Sequence, residues 1–502
     1  MLKKILLFGA GRSATVLIDY LLKEAEKEIW KIIVVDADIA LARSKTGGSA
    51  FAEAVSFDIN DKVKRDEFIS GADIVISLLP PALHTIVARS CIELNKDLLT
   101  ASYVDEEIKT LAAEIENKGL LFLCEMGLDP GIDHMSAMKM IDEIHAAGGK
   151  INSFRSHCGG LVAPESDDNP WRYKISWNAR NVALAGKAGA HYKENGKTVH
   201  VKYEELFNPE NGVDIPGLGW LSYYPNRDSL GYMPLYELED ADTFIRTTLR
   251  YPDFMYGWNN VIELKLTDET PQYETNGRSL QEIFKEHMDR HGFGEWLKLK
   301  LTERFTQTKS MLENLMKLME TEEQAAEEGI ETPESFMTAD DKGNLENIEI
   351  DDVKNRGAAY VASKIHEANI TLKQLFFLGL DDKETLINKG LCSAADVLQF
   401  AMEKKLVLGP ADKDMIVMMH ELQFTVDNSQ SAVSSTLIVE GEDNLRTAMA
   451  KTVGLPLGIA AKLILNGQIK LKGLHIPTKK EIYEPVLKEL EEHGIRFIEE
   501  KK

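Results

Sequence analysis

A glycine-rich loop near the beginning of the sequence has the residue types and spacing that bind the phosphates of a dinucleotide. Residues 9–14 (GAGRSA) match the pattern G-x-G-x-x-G/A between an apolar segment and a helical pattern. Gly9 would permit the tight turn, Gly11 would let the backbone approach a pyrophosphate, and Ala14 would let helix and strand pack closely. Free N–H groups at the start of the helix would bind the phosphates. The loop therefore predicts dinucleotide binding, with a simple tight turn as the alternative.

Asp36, at the end of the second apolar segment, bears on which dinucleotide is bound. It lies 22 residues after Ala14, where an acid accepts hydrogen bonds from the adenosine ribose 2′-hydroxyl and repels a 2′-phosphate. Arg43, in the helix that follows, could reach such a phosphate or could be an ordinary solvated residue. We predict NAD as the preferred cofactor and NADP as the alternative.

The first 125 residues alternate short apolar segments with amphipathic helical patterns, and these elements must position the loop. Strands are predicted at 3–8, 31–36, 53–57, 73–79, 97–101 and 120–124, and helices at positions such as 13–27 and 81–94. Nearly continuous apolar strands separated by helices indicate an α/β fold, a parallel sheet covered on both faces. Right-handed crossovers then favour the doubly wound Rossmann architecture. The fourth and fifth strands end at 77–80 and 100–102, at the edge where nicotinamide and substrate bind.

After about residue 148 the sequence changes to a mixed α+β pattern. Strands are predicted at 150–158, 198–203, 243–251, 417–426, 432–440 and 495–498. Helices are predicted at 131–147, 176–190, 254–267, 278–320, 355–405, 443–466 and 479–493, the fourth with Met311, Leu315, Leu318 and Met319 on one face. Residues 320–352 contain thirteen acids, one base and little apolar periodicity, which indicates a mobile surface insertion.

The composition excludes several classes of function. The 502 residues include 58 Lys+Arg and 81 Asp+Glu, a net charge of −23, so nucleic acid or an anionic membrane is not expected as the main partner. The four cysteines lie far apart without zinc-ligand spacing, which predicts no metal site and a reducing compartment. We find no cleavable signal pattern and no stretch near the roughly 18 apolar residues of a membrane span, so we expect a cytoplasmic protein.

Four further segments carry a family resemblance. The first two are residues 100–104 (TASYV) and 127–134 (GLDPGIDH). The third runs from 158 to 170 and contains CGGL (158–161), PE (164–165) and NP (169–170). The fourth consists of the two motifs 224–228 (YPNRD) and 248–251 (TLRY). In this order and spacing they closely resemble the L-glutamate-forming saccharopine dehydrogenase (saccharopine reductase) family. The similarity runs from the first strand to about residue 265 and resumes at about 415–500.

The resemblance implies a chain of three domains. A Rossmann dinucleotide-binding domain would cover 1–126, possibly joined by the helix at 443–466. An α+β substrate-binding and dimerisation domain would cover 127–275 and 415–502. A helical domain would cover 276–414 and carry the acidic insertion 320–352, which the family does not explain.

The resemblance also implies an activity. Members of the family oxidise saccharopine, the secondary amine that joins lysine to a glutamate skeleton, with NAD(P)⁺ in lysine metabolism. Hydride leaves the former lysine ε-carbon, the imine hydrolyses, and the products are glutamate and 2-aminoadipate 6-semialdehyde; the reaction is reversible. The implied partners are saccharopine and a second copy of the chain in a homodimer. NADP-using relatives carry a basic residue close to the position of Asp36, so this departure again favours NAD.

The family's site residues transfer by motif onto this sequence. The residues that would line the cofactor are Gly9, Gly11, Arg12, Asp36, Ala37, Asp58, Leu78, Thr100, Ala101, Gly127, Leu128, Asp129 and Trp177. Those that would contact saccharopine are Ala101, Ser102, Leu128, Arg227, Thr248, Leu249 and Arg250.

The chemistry of the substrate agrees with this transfer. Saccharopine carries three carboxylates, and guanidinium groups such as Arg227 and Arg250 bind carboxylates in a bidentate manner. In other contexts each arginine would be an ordinary surface salt bridge. Asp129 is our first candidate for the acid–base group, and it could equally be a turn or N-cap acid.

Cys158 is our second catalytic candidate, and the alternative is a small buried hydrophobe. His134 and His157 are nearby candidates for the same acid–base role, and His134 could instead be a structural residue within its helix. The identity of the general base stays open at this point.

Three other functions remain as alternatives. A carboxyspermidine-type or other opine-like dehydrogenase shares the architecture, but its substrates have fewer carboxylates for two arginines to bind. A non-enzymatic dinucleotide-sensing Rossmann protein would need neither the arginines nor the turn at 127–131. The acidic insertion could recruit a basic partner, and deletion of 322–352 would discriminate, since turnover that survives makes the insertion accessory.

Overall fold

The structure is a computed structural model that describes residues 2–296, 298–299, 302, 309, 335–339, 345–349, 366–367 and 369–501. The chain divides into two compact units. The first comprises Met1–Asp168, Arg172–Pro252 and Leu406–Lys502, and the second comprises Asn169–Trp171 and Asp253–Lys405. The three-domain division expected from the sequence stays a prediction.

A seven-stranded parallel sheet in the first unit carries the glycine loop. Six of its strands are β1 (Lys4–Phe8), β2 (Lys31–Val35), β3 (Ala52–Val55), β4 (Ile74–Ser77), β5 (Asp97–Thr100) and β6 (Leu121–Leu123). The helices between them are α1 (Ala14–Glu28), α2 (Ile39–Thr46), α3 (Lys62–Ser70), α4 (His84–Glu93), α5 (Glu106–Thr110) and α6 (Ala112–Asn117). The spatial order β6-β5-β4-β1-β2-β3 confirms the predicted doubly wound α/β fold.

The last part of the chain returns to complete this sheet. The seventh strand, Gly473–His475, pairs in parallel with β6. It was not predicted, because three residues give no period-two pattern. The helix expected at 443–466 spans Ala448–Leu465 and packs on α1. A Cβ at Gly454 would lie 2.8 Å from the Leu17 amide nitrogen. Glycine therefore allows the two helices to pack at this short separation.

A mixed sheet forms the other layer of the first unit. Its strands are β7 (Lys150–Val162), β8 (Ala190–Glu194), β9 (Lys197–Val201), β10 (Gly212–Ile215), β11 (Gly219–Pro225), β12 (Thr243–Arg250), Asp414–Val426, Ser429–Glu440 and Ile498–Lys501. β12 pairs with β7 in parallel, and Asp414–Val426 pairs with β7 in antiparallel fashion. Helix α7 (Ile132–Ala146) packs on β7 and on the helix Lys480–Glu492. The last strand lies a few residues after its predicted position.

The helix predicted at 176–190 is wrong over most of its length. Only α8 (Ala179–Ala183) forms, capped by the Asn178 side chain, and β8 begins at Ala190. Gly186 and Gly189 have φ values of +76° and +69°, which a right-handed helix does not contain. These two glycines end the helix early.

The second unit contains shorter elements. They are α9 (Pro252–Glu263), β13 (Tyr273–Glu274), α10 (Leu280–His291), β14 (Ser335–Ala339), β15 (Leu345–Glu349), β16 (Leu391–Cys392) and α11 (Ala394–Lys405). β13 pairs with β16 and β14 pairs with β15, both antiparallel. The pair β14–β15 lies within 320–352, where we predicted a mobile surface insertion and no strands. The rest of that insertion and the predicted face of Met311, Leu315, Leu318 and Met319 lie outside the described residues.

The four strands and two helices in the last part of the first unit continue the numbering. They are β17 (Asp414–Val426), β18 (Ser429–Glu440), α12 (Ala448–Leu465), β19 (Gly473–His475), α13 (Lys480–Glu492) and β20 (Ile498–Lys501). By length and composition α12 could cross a membrane, contrary to our expectation that no such stretch exists, but 72% of it is buried within the unit. It is a core helix in this structure.

Candidate active site

The glycine loop has the geometry that close approach of a pyrophosphate requires. Gly9 has a φ of +99°, and a Cβ there would lie 2.8 Å from the Leu78 carbonyl oxygen, so only glycine fits. A Cβ at Gly11 would meet nothing within 4 Å, which leaves open space in front of the loop. The backbone at Gly11 is therefore unobstructed, as the approach of a phosphate requires.

No side chain in the described part of the chain caps the N-terminus of α1. Ser13 at the N-cap makes no side-chain capping bond, and the first turn contains no acid. By contrast, Asp38, Asp61 and Asp105 cap α2, α3 and α5 with their carboxylates. The positive end of the α1 dipole therefore carries no capping carboxylate within the described residues. Arg12 in the loop donates from Nη1 to the Ile175 carbonyl at 3.1 Å.

Asp36 is held in place beside the glycine loop. Its Oδ2 accepts from the Ala10 amide at 2.8 Å, and its Oδ1 accepts from the Asp38 amide at 2.9 Å. Two backbone donors thus fix the carboxylate at the end of β2, where the adenosine ribose of a dinucleotide lies in this fold. Ala37 and Arg43 are both exposed on the segment that follows.

Asp58, expected at the cofactor, is exposed after β3. Its Oδ1 accepts from the backbone and side-chain amides of Asn60 at 2.9 and 3.0 Å. The structure thus places it at the same carboxyl edge of the sheet as Asp36, within an Asx turn.

The carboxyl ends of β4 and β5 carry a connected set of polar side chains. Thr100 Oγ1 accepts from the Ser102 amide at 3.1 Å. Ser102 Oγ lies 2.8 Å from His84 Nε2, and His84 Nδ1 lies 2.9 Å from Ser77 Oγ. Leu78 and Ala101 are half-buried beside these residues. The sequence analysis missed His84, although its position just after the fourth strand was a usable signal.

The segment 127–131 folds into a tight loop at the start of α7. A Cβ at Gly127 would lie 3.1 Å from the Pro130 carbonyl oxygen and 3.2 Å from Ala101 Cβ. Gly131 has a φ of +147° and contacts the Gly127 backbone so closely that no side chain fits. Leu128 is buried, and the loop presents Asp129 with 13% of its side chain exposed.

Asp129 belongs to a buried charged cluster that we did not predict. Arg246 Nη2 donates to Asp129 Oδ1 and to Asp133 Oδ2, both at 2.7 Å. The Tyr103 hydroxyl donates to Asp129 Oδ1 at 2.9 Å, and the Gly131 amide donates to Asp133 Oδ1 at 2.6 Å. One guanidinium thus bridges two carboxylates, and Asp129 alone of the two is accessible. Hereafter these residues (Tyr103, Asp129, Asp133 and Arg246) are called the Asp129 cluster.

The two carboxylates of the cluster differ in their affinity for a proton. Burial raises the pKa of Asp129, Arg246 opposes this effect, and the neighbouring Asp133 carboxylate adds to it. Burial would also raise the pKa of Asp133, but His134, Arg246 and the Gly131 amide outweigh it and lower that pKa. A proton shared by the pair therefore resides on Asp129, which makes Asp129 the better acid–base group.

Cys158 lies on β7 opposite Thr248 of β12 and Met418 of β17. Only 5% of the residue is exposed. Burial raises the pKa of its thiol well above the usual value, and the Asp129 and Asp133 carboxylates raise it further. The thiol is therefore protonated near neutral pH, which makes Cys158 a weaker candidate for the acid–base role than Asp129.

The two histidine candidates are both buried and engaged. His134 contacts Glu125 Oε2 through Nε2 at 2.8 Å and the Tyr236 hydroxyl through Nδ1 at 2.5 Å. His157 Nδ1 contacts Thr247 Oγ1 at 2.7 Å. Thr247 points to the face of β12 opposite Arg246, because side chains alternate along a strand. His157 therefore lies on the other face of the sheet from the Asp129 cluster.

Arg227 lies beside the Asp129 cluster with an accessible guanidinium. It is exposed, has a φ of +48°, and its guanidinium carbon lies 5.5 Å from the centre of the Tyr103 ring. Among the residues that the structure describes, no carboxylate pairs with it. The ordinary salt bridge that we kept as an alternative is therefore not found in the described part of the chain.

Arg250 is buried on β12, two positions beyond Thr248 and four beyond Arg246. Period-two alternation places these three side chains on one face of the strand. Arg250 Nη1 donates to the Leu249 carbonyl at 2.7 Å, and its guanidinium carbon lies 5.2 Å from the Tyr173 ring centre. The same alternation was visible in the sequence and could have identified Arg246.

The side chains of Leu249 and Trp177 are placed differently from that of Arg250. The Leu249 side chain packs with Leu161 and Val417 on the opposite face of the sheet, so only its backbone can contact a ligand near Arg250. The half-buried Trp177 indole N–H donates to the Tyr173 hydroxyl, and the Tyr173 ring faces Arg250.

The fold and the site together define a class of protein. A doubly wound parallel sheet with an open glycine loop, and a buried carboxylate cluster flanked by arginines in the same unit, define a nicotinamide-dinucleotide-dependent oxidoreductase. The polar side chains after β4 and β5 lie at the carboxyl edge, where such sheets bind their ligands.

Comparison with known proteins identifies the family. The family model described as the saccharopine dehydrogenase NADP binding domain matches residues 5–123, and the saccharopine dehydrogenase C-terminal domain matches residues 127–495. The chain belongs to the saccharopine dehydrogenase family. This confirms the resemblance that the four sequence segments indicated.

Curated relatives and a solved structure agree over the whole chain. Saccharopine dehydrogenase [NADP(+), L-glutamate-forming] of Saccharomyces cerevisiae is 32% identical over 99% of each chain. The alpha-aminoadipic semialdehyde synthase of Arabidopsis thaliana is also 32% identical over 99% of this chain, which spans 44% of that relative's length. The apo saccharopine dehydrogenase (L-Glu forming) structure from S. cerevisiae matches all of both chains with a TM-score of 0.76 and 30% identity.

Proposed function

We propose that the chain catalyses the reversible oxidative cleavage of saccharopine in lysine metabolism. The overall reaction is saccharopine + NAD⁺ + H₂O → L-glutamate + 2-aminoadipate 6-semialdehyde + NADH + H⁺. The observation that carries this proposal is the Asp129 cluster with Arg227 beside it, because an accessible carboxylate of raised pKa adjoins an available guanidinium. Relatives of nearly equal length carry the name of this activity.

The arginines support a substrate with several carboxylates. Arg227 has an exposed fork that can bind one carboxylate in a bidentate manner. Arg250 would bind a second, with its guanidinium held against the Tyr173 ring and the Leu249 carbonyl. Arg246 is already engaged by Asp129 and Asp133, so its role is to hold the cluster rather than to bind saccharopine.

Asp129 would move the protons of the reaction. As a carboxylate it accepts the proton of the substrate's secondary ammonium, which frees the nitrogen lone pair. A bound nicotinamide would supply the acceptor for the hydride on the carbon next to that nitrogen. Asp129 then assists the addition of water to this carbon, the C–N bond breaks, and glutamate leaves with the nitrogen. Tyr103 and Arg246 orient the Asp129 carboxylate throughout.

Asp36 supports NAD as the preferred cofactor, with NADP as the alternative. The fixed Asp36 carboxylate can accept from the ribose 2′-hydroxyl and would repel a 2′-phosphate. Curated relatives are named for NADP(+), and the exposed Arg43 is the residue of this chain that could favour it. We therefore propose that this chain differs from those relatives in its cofactor preference because of Asp36.

Absorbance of reduced nicotinamide tests substrate and cofactor together. Purified protein should form NADH from saccharopine and NAD⁺, with a higher kcat/KM than with NADP⁺, and release glutamate. Carboxyspermidine should give a much lower kcat/KM, because its single carboxylate cannot occupy both arginines. A faster reaction with NADP⁺ would refute the NAD preference only, whereas no reaction with either cofactor would refute the activity.

The proposed enzyme is a homodimer located in the cytoplasm, with no nucleic-acid or membrane partner. Sedimentation equilibrium of the full chain checks the first statement, since a dimer has twice the chain mass of 56.2 kDa.

A further inference from the structure

Three polar side chains join the ends of two neighbouring strands at the carboxyl edge of the parallel sheet. Ser77 Oγ lies 2.9 Å from His84 Nδ1, and His84 Nε2 lies 2.8 Å from Ser102 Oγ. Ser77 is 0% exposed and His84 2% exposed, whereas Ser102 is half-buried. The chain of contacts therefore runs from the core of the sheet to the surface of the site.

The buried contact between Ser77 and His84 determines which atom donates in each of these hydrogen bonds. Burial lowers the pKa of His84 to about 4, so the ring is neutral at pH 7 and carries one N–H. Among the described residues, His84 is the one hydrogen-bond partner of the Ser77 hydroxyl. If Nδ1 carried the proton, the buried Ser77 O–H would have no acceptor, which is unfavourable. Ser77 therefore donates to Nδ1, and the ring proton resides on Nε2.

The position of the proton on His84 Nε2 determines the direction of the hydrogen bond between His84 and Ser102. The Nε2–H of His84 donates to Ser102 Oγ, so the hydroxyl hydrogen of Ser102 is not used in that contact. Thr100 Oγ1 accepts from the Ser102 backbone amide, so this second contact does not involve the Ser102 hydroxyl group. The Ser102 hydroxyl then acts as a hydrogen-bond donor toward the site, not as an acceptor.

We propose that His84 is a positioning residue that makes the Ser102 hydroxyl donate to an acceptor oxygen of the bound ligand. This oxygen belongs to a saccharopine carboxylate or to the nicotinamide carboxamide, since the oxygen atoms of both groups accept hydrogen bonds through their lone pairs. The inference rests on the proposed function, which places these ligands at the carboxyl edge. It adds a residue to the site that neither a motif nor a charge indicated.

Steady-state kinetics and cofactor titration on two His84 variants test the proposal. His84→Phe should raise either the KM for saccharopine or the Kd for NAD⁺ about three- to tenfold, the loss of one hydrogen bond. His84→Gln, whose amide N–H can replace Nε2–H, should recover most of that loss. A change in KM identifies the carboxylate as the acceptor, and a change in Kd identifies the carboxamide.

A double-variant comparison separates positioning from packing. In a Ser102→Ala background, His84→Phe should change neither constant further, because the hydroxyl through which His84 acts is absent. Fully additive effects would overturn the proposal. So would unchanged constants in a folded His84→Phe variant.

The tautomer of His84 can be measured without any turnover. Nitrogen-15 NMR of the full chain should show the His84 proton on Nε2, and Ser77→Ala should shift the population toward Nδ1–H while His84 stays in place. A dominant Nδ1–H form in the wild type would overturn the proposal. Since this measurement needs no saccharopine, failure of the proposed activity and failure of this inference are distinguishable.

Discussion

At the scale of single residues, the cluster around Asp129 shows how one arginine can give two aspartates different roles. Arg246 donates to both, but the Gly131 amide donates to Asp133 only. Burial and the neighbouring negative charge of Asp133 therefore raise the pKa of Asp129.

The pH dependence of the activity follows from that difference. Asp129 must be ionised to accept a proton, and its pKa is raised, so activity should fall on acidification at a higher pH than for an ordinary aspartate. Asp133→Asn removes the anion that helps to raise this pKa. We expect the acid limb of the kcat/KM profile to move to lower pH in this variant, measured by reduced-nicotinamide absorbance.

Two further variants control this prediction. Asp129→Asn should lower kcat by roughly 10² to 10⁴, the usual contribution of a general acid–base group. Glu143→Gln removes an exposed carboxylate from α7, the helix that contains Asp133, and should leave the pH profile of kcat/KM unchanged. An acid limb that moves to higher pH in Asp133→Asn would contradict our assignment of the proton to Asp129.

Arg227 provides a second test at this scale. Because its side chain is exposed, Arg227→Ala should leave the fold intact and raise the KM for saccharopine about ten- to a hundredfold, from the loss of a charge-assisted bond of roughly 1.5–3 kcal/mol. Arg89→Ala, at an exposed arginine paired with Glu107, is the matched control. Equal KM values in the two variants would remove Arg227 from the substrate site.

At the scale of elements, glycines decide which helices can meet. Gly454 on α12 lies against Leu17 of α1, and Gly458 lies against Tyr20 one turn further on. Backbone contact at Gly454 leaves no room for even a methyl group, and the contacting atom is a main-chain nitrogen that cannot rotate away. The α1–α12 contact fixes the helix that begins at the glycine loop.

Gly454→Ala should therefore destabilise the first unit. We expect a cost of about 1–3 kcal/mol, typical of overpacking, and a lower midpoint of thermal unfolding measured by calorimetry. Gly294→Ala is the control, because a Cβ there meets nothing within 4 Å and its φ is not left-handed. If both variants melt at the wild-type temperature, the close packing of α1 on α12 does not contribute to stability.

At the scale of the whole molecule, the first unit is completed by the end of the chain. β19 pairs with β6 of the parallel sheet, and α13 packs on α7. Four residues of α13 (Ile482, Tyr483, Val486 and Leu490) are no more than 2% exposed within the main apolar cluster. At about 1.5–3 kcal/mol for each buried side chain, their loss is comparable with the whole stability of a typical domain.

Truncation after Gly467 should consequently abolish folding of the first unit, although it removes no expected site residue. Circular dichroism and NAD⁺ titration would show loss of cooperative unfolding and of binding. Deletion of 498–502 is the matched control, because the edge strand β20 is exposed throughout and its loss should be tolerated. A truncated chain that still binds NAD⁺ would show that the parallel sheet is stable without β19.

Much of the fold and part of the site could be predicted from the sequence because their signals are local. All six strands from β1 to β6 appeared as short apolar runs, and the glycine loop, Asp36 and the segment 127–131 were contiguous patterns. The family assignment also depended on short motifs in a fixed order. For these features, the residues that form the structure are neighbours in the chain, so their types and spacing carry the information.

Other features were decided only by the tertiary structure, because they depend on residues that are far apart in sequence. The sequence did not indicate that Arg246 would bridge Asp129 and Asp133, more than 110 positions away, or that His84 would join Ser77 to Ser102. It also could not show that the Leu249 side chain is buried with Leu161 and Val417, which lie on two other strands. Partner choice for a charged group depends on burial and distance, and both arise only when the strands and helices pack.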